Sequence, residues 1–148
     1  MEIRSAENKD VAAIYGLIQE LALYEKAPEQ VTNTLENLHK DLFMEPICEA
    51  IVAEENQEII GFALFYTSYS TWKGKSLYLE DFFVSEKHRR KGVGQLLFER
   101  VVQIAQVRNM ARMDWQVLEW NKLAIDFYKK NNALLDPEWI NGRIFFQS

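Results

Sequence analysis

The sequence predicts an α/β or α+β fold, in which helices cover the faces of one sheet, and three observations indicate it. Apolar residues recur at helical spacing in two long segments, one starting near Val11 and the other at Gly92. Residues 59–66 and 77–84 are runs rich in β-branched and aromatic residues, which is typical of strands. Strands and helices then alternate to the end of the chain, an order that builds a sheet with helices packed on it.

The first half of the chain begins with a short strand at residues 2–5 and continues into an amphipathic helix. That helix carries apolar residues at helical spacing behind a cap at Asn8 or Asp10, namely Val11, Ile14, Leu17, Ile18 and Leu21. A second, shorter helix is predicted at residues 34–41, with Thr34 as its N-cap. Residues 50–53 and 59–66 flank the polar stretch Glu-Glu-Asn-Gln-Glu, which predicts a β-hairpin.

The second half alternates strands and helices. In order, we expect a buried strand at residues 77–84, a helix from Gly92 to about Val107, a strand at residues 113–118, a helix at residues 122–130 and a closing strand at residues 140–146. The longest helix has its apolar stripe at Val93, Leu96, Leu97, Val101 and Ile104. Asn131 or Asn132 can adopt the left-handed conformation that ends the last helix.

Composition and charge narrow the classes of function. The 148 residues are the size of one domain, so we expect a single domain over residues 1–148. A formal net charge of −5 argues against nucleic acid as a partner, which needs a basic face, and suits a cationic partner. One cysteine and two histidines, none at ligand spacing, lead us to expect neither an intramolecular disulfide nor a metal. No leader or long apolar run opens the sequence, so we expect a cytoplasmic protein without a membrane partner.

A basic segment with two glycines, Arg89-Arg90-Lys91-Gly92-Val93-Gly94, lies between a predicted strand and a predicted helix. Its glycines let backbone N–H groups approach a ligand closely, and a helix N-terminus attracts anions, so the segment is a candidate pyrophosphate cradle. It lacks the Gly-Lys-Ser/Thr ending of an ATP-binding loop and the first glycine of a dinucleotide-binding fingerprint. An ordinary solvated basic loop is the alternative. Arg-x-x-Gly-x-Gly at the start of a long helix, after a hydrophobic strand, resembles the CoA-binding signature of the GNAT N-acetyltransferase superfamily.

Further stretches resemble one branch of that superfamily, the diamine acetyltransferases typified by spermidine/spermine acetyltransferase and its thialysine-acetylating relative. The stretches are Glu20-Leu21-Ala22 with Tyr24-Glu25 and Gln30-Val31, then Trp72-Lys73-Gly74, Leu77 to Val84, and Glu119-Trp120-Asn121 with Phe127-Tyr128-Lys129. Together they span nearly the whole chain. The resemblance implies a mixed, mostly antiparallel sheet splayed between two central strands, acetyl-CoA bound in that opening as co-substrate, and a homodimer.

The resemblance also implies roles in acetyl transfer. An alkylammonium with a pKa of about 10.4 must lose a proton before it attacks a thioester, so a nearby carboxylate is useful as a base. By resemblance, Glu80 removes this proton through water, Asp81 helps to hold the cationic substrate, and Tyr128 protonates the departing thiolate. Backbone N–H groups in the segment from Phe82 to Val84 would stabilise the thioester oxygen. The implied cofactor-binding residues are Phe82, Phe83, Val84, Arg89, Arg90, Lys91, Gly92, Val93, Gly94, Gln95, Tyr128 and Asn121, the last of which can also cap its helix.

Recognition of a cationic amine needs negative charge and an aromatic wall for its methylenes. The implied substrate-binding residues are Tyr24, Glu25, Trp72, Glu80 and Asp81, with the tryptophan and tyrosine rings able to hold a cation. Glu80 and Asp81 are adjacent on a predicted strand, so their side chains should face opposite sides unless a bulge intervenes. Ser70 stands two positions before Trp72, where polyamine-acetylating members carry an aspartate. The resemblance therefore favours thialysine, lysine-like amino acids or short diamines over long polyamines.

The leading interpretation is an enzyme that acetylates a small amine. Acetylation of a protein lysine or N-terminus stays open, as does a catalytically silent acyl-CoA-binding sensor on the same fold. Glu80, Asp81 and Tyr128, together with the predicted phosphate turn, argue against a silent protein.

Overall fold

A computed structural model describes residues 1–146 of the chain. Its strands and α-helices are β1 (Glu2–Ser5), α1 (Val11–Tyr24), α2 (Leu35–His39), β2 (Glu49–Glu55), β3 (Glu58–Ser70), β4 (Gly74–Val84), α3 (Val93–Val107), β5 (Arg112–Asp114) and α4 (Lys122–Lys130). A π-helical turn, Lys40–Met44, continues α2, and a 3₁₀ turn, Glu86–His88, follows β4. The chain divides into two compact units, residues 1–115, which contain the sheet, and the residues from 116 onward, which contain α4.

The sheet is mixed and mostly antiparallel, as predicted. Its strand order is β1-β2-β3-β4-β5, with antiparallel pairing from β1 to β4 and parallel pairing between β4 and β5. The β2–β3 turn contains Asn56 and Gln57, both with positive φ angles, of 51° and 66°. Two consecutive left-handed residues are what a two-residue hairpin turn requires, so the polar stretch between the two apolar runs forms the predicted hairpin.

Helices cover both faces of the sheet, which confirms the predicted architecture. On one face, α1 and α2 pack over a core that includes Val52, Phe62 and Phe83, three residues that lie side by side on β2, β3 and β4. On the other face lies α3, which approaches so closely that a β-carbon built on Gly61 of β3 would lie 3.1 Å from Leu97 Cδ1. Loss of these apolar surfaces from water is the main favourable contribution to folding.

The local sequence explains where the helices begin and end. Thr34 caps α2, since its hydroxyl oxygen accepts a hydrogen bond from Asn37 N at 3.1 Å. Asp10 precedes α1, but its buried carboxylate bonds to Arg4 and to the Glu7 amide instead of capping that helix. At the other end of the chain, Asn132 follows α4 with a φ of 65°, the predicted left-handed residue.

Besides the cap of α1, three details of the sequence prediction are wrong. Leu96 is exposed rather than part of the buried stripe of α3, because Phe98 and Ala105 complete that stripe instead. The strand predicted at residues 113–118 ends at Asp114, where its pairing with β4 stops. Residues 140–146 form no strand, since their backbone pairs with none of the described strands and their apolar side chains are exposed. A strand requires a hydrogen-bonded partner, which an apolar run alone does not supply.

The sheet opens between β4 and β5. Their pairing covers only Ser76 to Tyr78 on β4. Of the six following residues of β4, five pair with β3 and none pairs with β5. In this segment, the backbone N–H and C=O groups of alternate residues point toward the β5 side. These groups are therefore available to another partner. Within residues 1–146, no helix has both the length and the apolar character needed to cross a membrane.

Candidate functional site

The opened part of β4 contains a β-bulge at Glu80. Asp81 pairs with Leu64, whereas Leu79 pairs with the next residue of β3, Phe65, so Glu80 is an extra residue without a partner opposite it. Residues directly opposite each other in a sheet share a face. Asp81 therefore faces the side covered by α1, with Leu64, and Leu79 faces the side covered by α3, with Phe65.

Three carboxylates meet on the α1 face at this bulge. Burial, followed by the charges of Glu80 and Glu25, raises the pKa of Asp81 to about 7. Glu25, which directly follows α1, is half-buried, and burial raises the pKa of its carboxyl. Both glutamates act on Asp81 through their charge, so Glu25, Glu80 and Asp81 form one acidic cluster at the bulge. Such repulsion favours a bound cation.

A tyrosine pair flanks the acids and was missed in the sequence. Tyr66 on β3 and Tyr78 on β4 are directly opposite, with ring centroids 5.3 Å apart. Burial and the charge of Glu80 raise the pKa of both hydroxyls. The pair gives the acidic site an aromatic wall, and the alternation of Leu64 and Tyr66 on β3 is the pattern that could have revealed it.

Tyr24, the last residue of α1, directly precedes Glu25, but one face of its ring is already covered. The Arg89 guanidinium carbon lies 4.6 Å from the centroid of Tyr24 and 5.0 Å from that of Phe83. Arg89 Nε donates a hydrogen bond of 3.1 Å to the Val84 carbonyl oxygen. The Tyr24 ring, predicted to contact a cationic substrate, thus contacts the guanidinium of Arg89 in this structure.

The basic segment predicted as a phosphate cradle forms a tight turn into α3. Arg90 and Gly92 have positive φ angles of 68° and 78°, and Gly92 is the N-cap residue of the helix. The first bond of the helix is donated by Leu96 N to Gly92 O at 3.2 Å, so the N–H groups of Val93 and Gly94 precede the hydrogen-bonded turns. Gly94 lies against β4, since a β-carbon there would be 3.6 Å from Phe82 Cζ. The turn and the open edge of β4 are therefore adjacent.

The structure does not bring Trp72 to the acids of its own chain. Trp72 lies at the tip of the β3–β4 hairpin, with 86% of its surface exposed. Asp81 is seven residue steps along β4 from Gly74, which is roughly 23 Å of extended strand. Ser70 stabilises this tip, because its hydroxyl oxygen accepts hydrogen bonds from Trp72 N and Lys73 N at 3.3 and 3.0 Å.

Two predicted site residues belong to the unit that starts at residue 116. Asn121 caps α4, with its side-chain oxygen accepting from Ala124 N at 3.2 Å, which confirms the capping role. Tyr128 is buried, and its ring packs edge-on against Phe127 with centroids 5.5 Å apart. Among residues 1–146, no group of three or more histidine, cysteine, aspartate or glutamate side chains is arranged to hold a metal ion.

The mixed sheet thus opens beside the glycine turn of a long helix, whose N-terminus is suited to an anion such as a phosphate, and acids lie at the opening. Residues 12–133 match the acetyltransferase (GNAT) family, and the chain belongs to that family. The predicted family, fold and N-acetyltransferase class are therefore confirmed.

Individual relatives and solved structures agree with this assignment. A thialysine N-epsilon-acetyltransferase from Bos taurus is 39% identical over 88% of this chain and 82% of its own length. A spermidine/spermine N(1)-acetyltransferase-like protein 1 from Homo sapiens is 35% identical over 90% of this chain and 20% of its own length. The crystal structure of a probable acetyltransferase superposes with a TM-score of 0.80 at 22% identity, covering 100% of this chain and 99% of that one, which shows the shared fold.

Proposed function

We propose that this protein transfers an acetyl group from acetyl-CoA to the primary amine of a small cationic substrate. The candidates are a diamine, a polyamine or a thialysine-like amino acid, in keeping with the names of the relatives. The observation that carries the proposal is the cluster of Glu25, Glu80 and Asp81 beside the open edge of β4. Mutual repulsion in the cluster is relieved by an ammonium ion, and the same place adjoins the turn suited to a phosphate.

In the proposed reaction, the amine nitrogen attacks the thioester carbon directly. The C–N bond forms, the C–S bond breaks, one proton leaves the ammonium and the CoA thiolate takes one up. Glu80 is the base expected from the resemblance. Its pKa of about 7 makes Asp81 better suited than Glu80 to act as the base, because a base works best when its pKa lies near the operating pH. Since the two acids interact, we assign proton removal to the pair.

The chain's own residues supply the remaining parts of this proposal. Backbone N–H groups in the segment from Phe82 to Val84, on the open edge of β4, stabilise the oxygen of the tetrahedral intermediate. The pyrophosphate is held by the turn and the first helical residues, which are Arg90, Lys91, Gly92, Val93, Gly94 and Gln95. Tyr128 is the proposed proton donor to the thiolate, and Asn121 contributes to the cofactor site in addition to its capping role.

A homodimer is part of the proposal, and Trp72 gives it a structural argument. Because the hairpin tip is roughly 23 Å along β4 from Asp81, Trp72 can serve as a substrate-binding residue only at the site of another subunit. The cytoplasmic location expected from the sequence stays a prediction.

The test is release of CoA from acetyl-CoA by the purified protein with thialysine, lysine, ornithine, putrescine, spermidine, spermine and a lysine peptide. We expect turnover with small amines and loss of most of it in Asp81→Asn. Glu29→Gln is the matched control, because it removes one negative charge from an exposed site. Turnover confined to the peptide would indicate a protein acetyltransferase, and CoA binding without turnover on any amine would indicate a sensor.

A further inference from the structure

The tyrosine pair, Tyr66 and Tyr78, lies on the same face of the sheet as Asp81. Tyr66 is two residues from Leu64 on β3, and Leu64 is directly opposite Asp81. Because side chains two residues apart on a strand share a face, the pair lies roughly 7 Å along the sheet from Asp81. Burial, followed by the charge of Glu80, raises the pKa of both tyrosine hydroxyls. The register and the electrostatics therefore both make the pair a neighbour of the acids.

The pair also lies where the sheet opens. Tyr78 is the last residue of β4 that pairs with β5, and Asp114 is its partner. The next residues of β4 border the opening in which the proposed reaction takes place. The two rings therefore lie between the closed part of the sheet and the acids.

The two rings are open to a ligand, in contrast to the aromatic residues that the resemblance implied. Their centroids are 5.3 Å apart and their planes are inclined by 32°, so each ring packs against the other. In the described part of the chain, neither ring contacts a further aromatic ring or a cation, and neither hydroxyl has a hydrogen bond. By contrast, a guanidinium already covers Tyr24, and Trp72 lies at the distant hairpin tip. Tyr66 and Tyr78 are therefore the aromatic residues best placed to meet a cation at the acids.

The spacing between the rings and the acids fits one cation. A ring face attracts an ammonium ion within about 6 Å of its centroid, and a carboxylate oxygen binds it at about 2.8 Å. Partners on one face that lie roughly 7 Å apart along the sheet can therefore share one ammonium. Because the quadrupole of an aromatic ring makes its face negative, the rings add to the attraction of the acids.

We propose that Tyr66 and Tyr78 bind the ammonium of the substrate by their ring faces and thereby determine which amines the acidic site accepts. This inference rests on the proposed function and adds two specificity-determining residues to it. The rings attract a charged amine and give no such attraction to an uncharged amine of the same shape. Their loss should therefore weaken the binding of ammonium ions in particular.

The experiment compares the binding of pentylamine and O-butylhydroxylamine, which have nearly the same shape, by NMR titration at neutral pH, where only pentylamine is charged. We expect the wild type to bind pentylamine more tightly, and this preference to fall on the order of 2- to 30-fold in Tyr66→Leu and Tyr78→Leu. Tyr66→Phe and Tyr78→Phe, which keep the ring face, should retain most of the preference. Tyr69→Leu is the matched control, because this tyrosine lies on the other face of β3 and is 76% exposed. In CoA release, the leucine variants should raise KM for pentylamine more than they lower kcat, because the rings bind the ammonium before it loses its proton.

Each outcome decides a definite point. An unchanged preference in both leucine variants, or a loss in the phenylalanine variants as large as that in the leucine variants, would overturn the proposal. In the wild type, the ring protons of both tyrosines should show nuclear Overhauser effects to the methylene next to the pentylamine nitrogen, and their absence would overturn it without recourse to any variant. If no amine supports CoA release, the proposed function fails, and these binding measurements still decide whether the tyrosine pair holds the ammonium.

Discussion

Asp81→Asn should make the protein less sensitive to pH, because the carboxyl of Asp81 is protonated more readily in the folded chain than in the unfolded one. Its pKa rises from 3.8 to about 7 on folding. The folded state therefore binds the proton more tightly between those values, and this group makes the protein less stable as pH rises through the same window. The full shift corresponds to roughly 4 kcal/mol, and the part of it between pH 5 and pH 8 to roughly 2 to 3 kcal/mol.

The assay is equilibrium unfolding in urea at pH 5 and at pH 8, for the wild type and for Asp81→Asn. Other groups contribute to the pH dependence of both proteins, so the informative quantity is the difference between the two. We expect Asp81→Asn to gain roughly 2 to 3 kcal/mol on the wild type between pH 5 and pH 8. Glu29→Gln, which changes an exposed carboxylate, should follow the wild type. An identical pH dependence in the wild type and Asp81→Asn would refute the inference that folding removes the Asp81 carboxyl from water and places it near the charges of Glu80 and Glu25.

Three further predictions concern charge and proton transfer. Arg4→Met should lower the free energy of unfolding, measured in urea, by about 3 to 5 kcal/mol, because the buried Asp10, 3% exposed, loses its ion pair. Replacing both residues by apolar ones should recover most of the loss. Glu80→Gln should move the acid limb of kcat/KM to lower pH, since removing its charge lowers the pKa of Asp81, and a pH–rate profile that stays in place would count against this coupling. Tyr128→Phe should slow acetyl transfer while acetyl-CoA affinity stays nearly unchanged; unaltered turnover would remove Tyr128 from the mechanism.

Periodicity was sufficient to predict most of the fold. The apolar spacing of Val11, Ile14 and Leu17 identified α1 because a helix packed on a sheet must bury one stripe, and these three residues are buried. Thr34 and Asn132 were recognisable as helix ends, since caps depend on a few neighbouring residues. Properties set by nearby sequence were thus predictable.

Properties that depend on residues distant in sequence could not be predicted in this way. Residues 140–146 have the composition of a strand, but a strand also requires an edge to pair with, and composition does not supply one. Likewise, the direction of the Arg89 side chain depends on distant residues, since its guanidinium lies against two aromatic rings contributed by α1 and β4.

The bulge at Glu80 shows why the site in particular escapes sequence analysis. A regular β4 would send the side chains of Glu80 and Asp81 to opposite faces. The pKa of Asp81 is raised first by burial and then by the charge of Glu80, and this second contribution would be weaker. The extra residue lets both acids act at one place, while Leu79 still reaches the opposite face and stays buried with Phe65. Strand β4 therefore keeps buried apolar residues before and after the bulge, while the two acids lie at the bulge itself. Because the bulge is defined by the register of β4 against β3, strand pairing, and not the order of the two acids in the chain, determines that they act on the same face of the sheet.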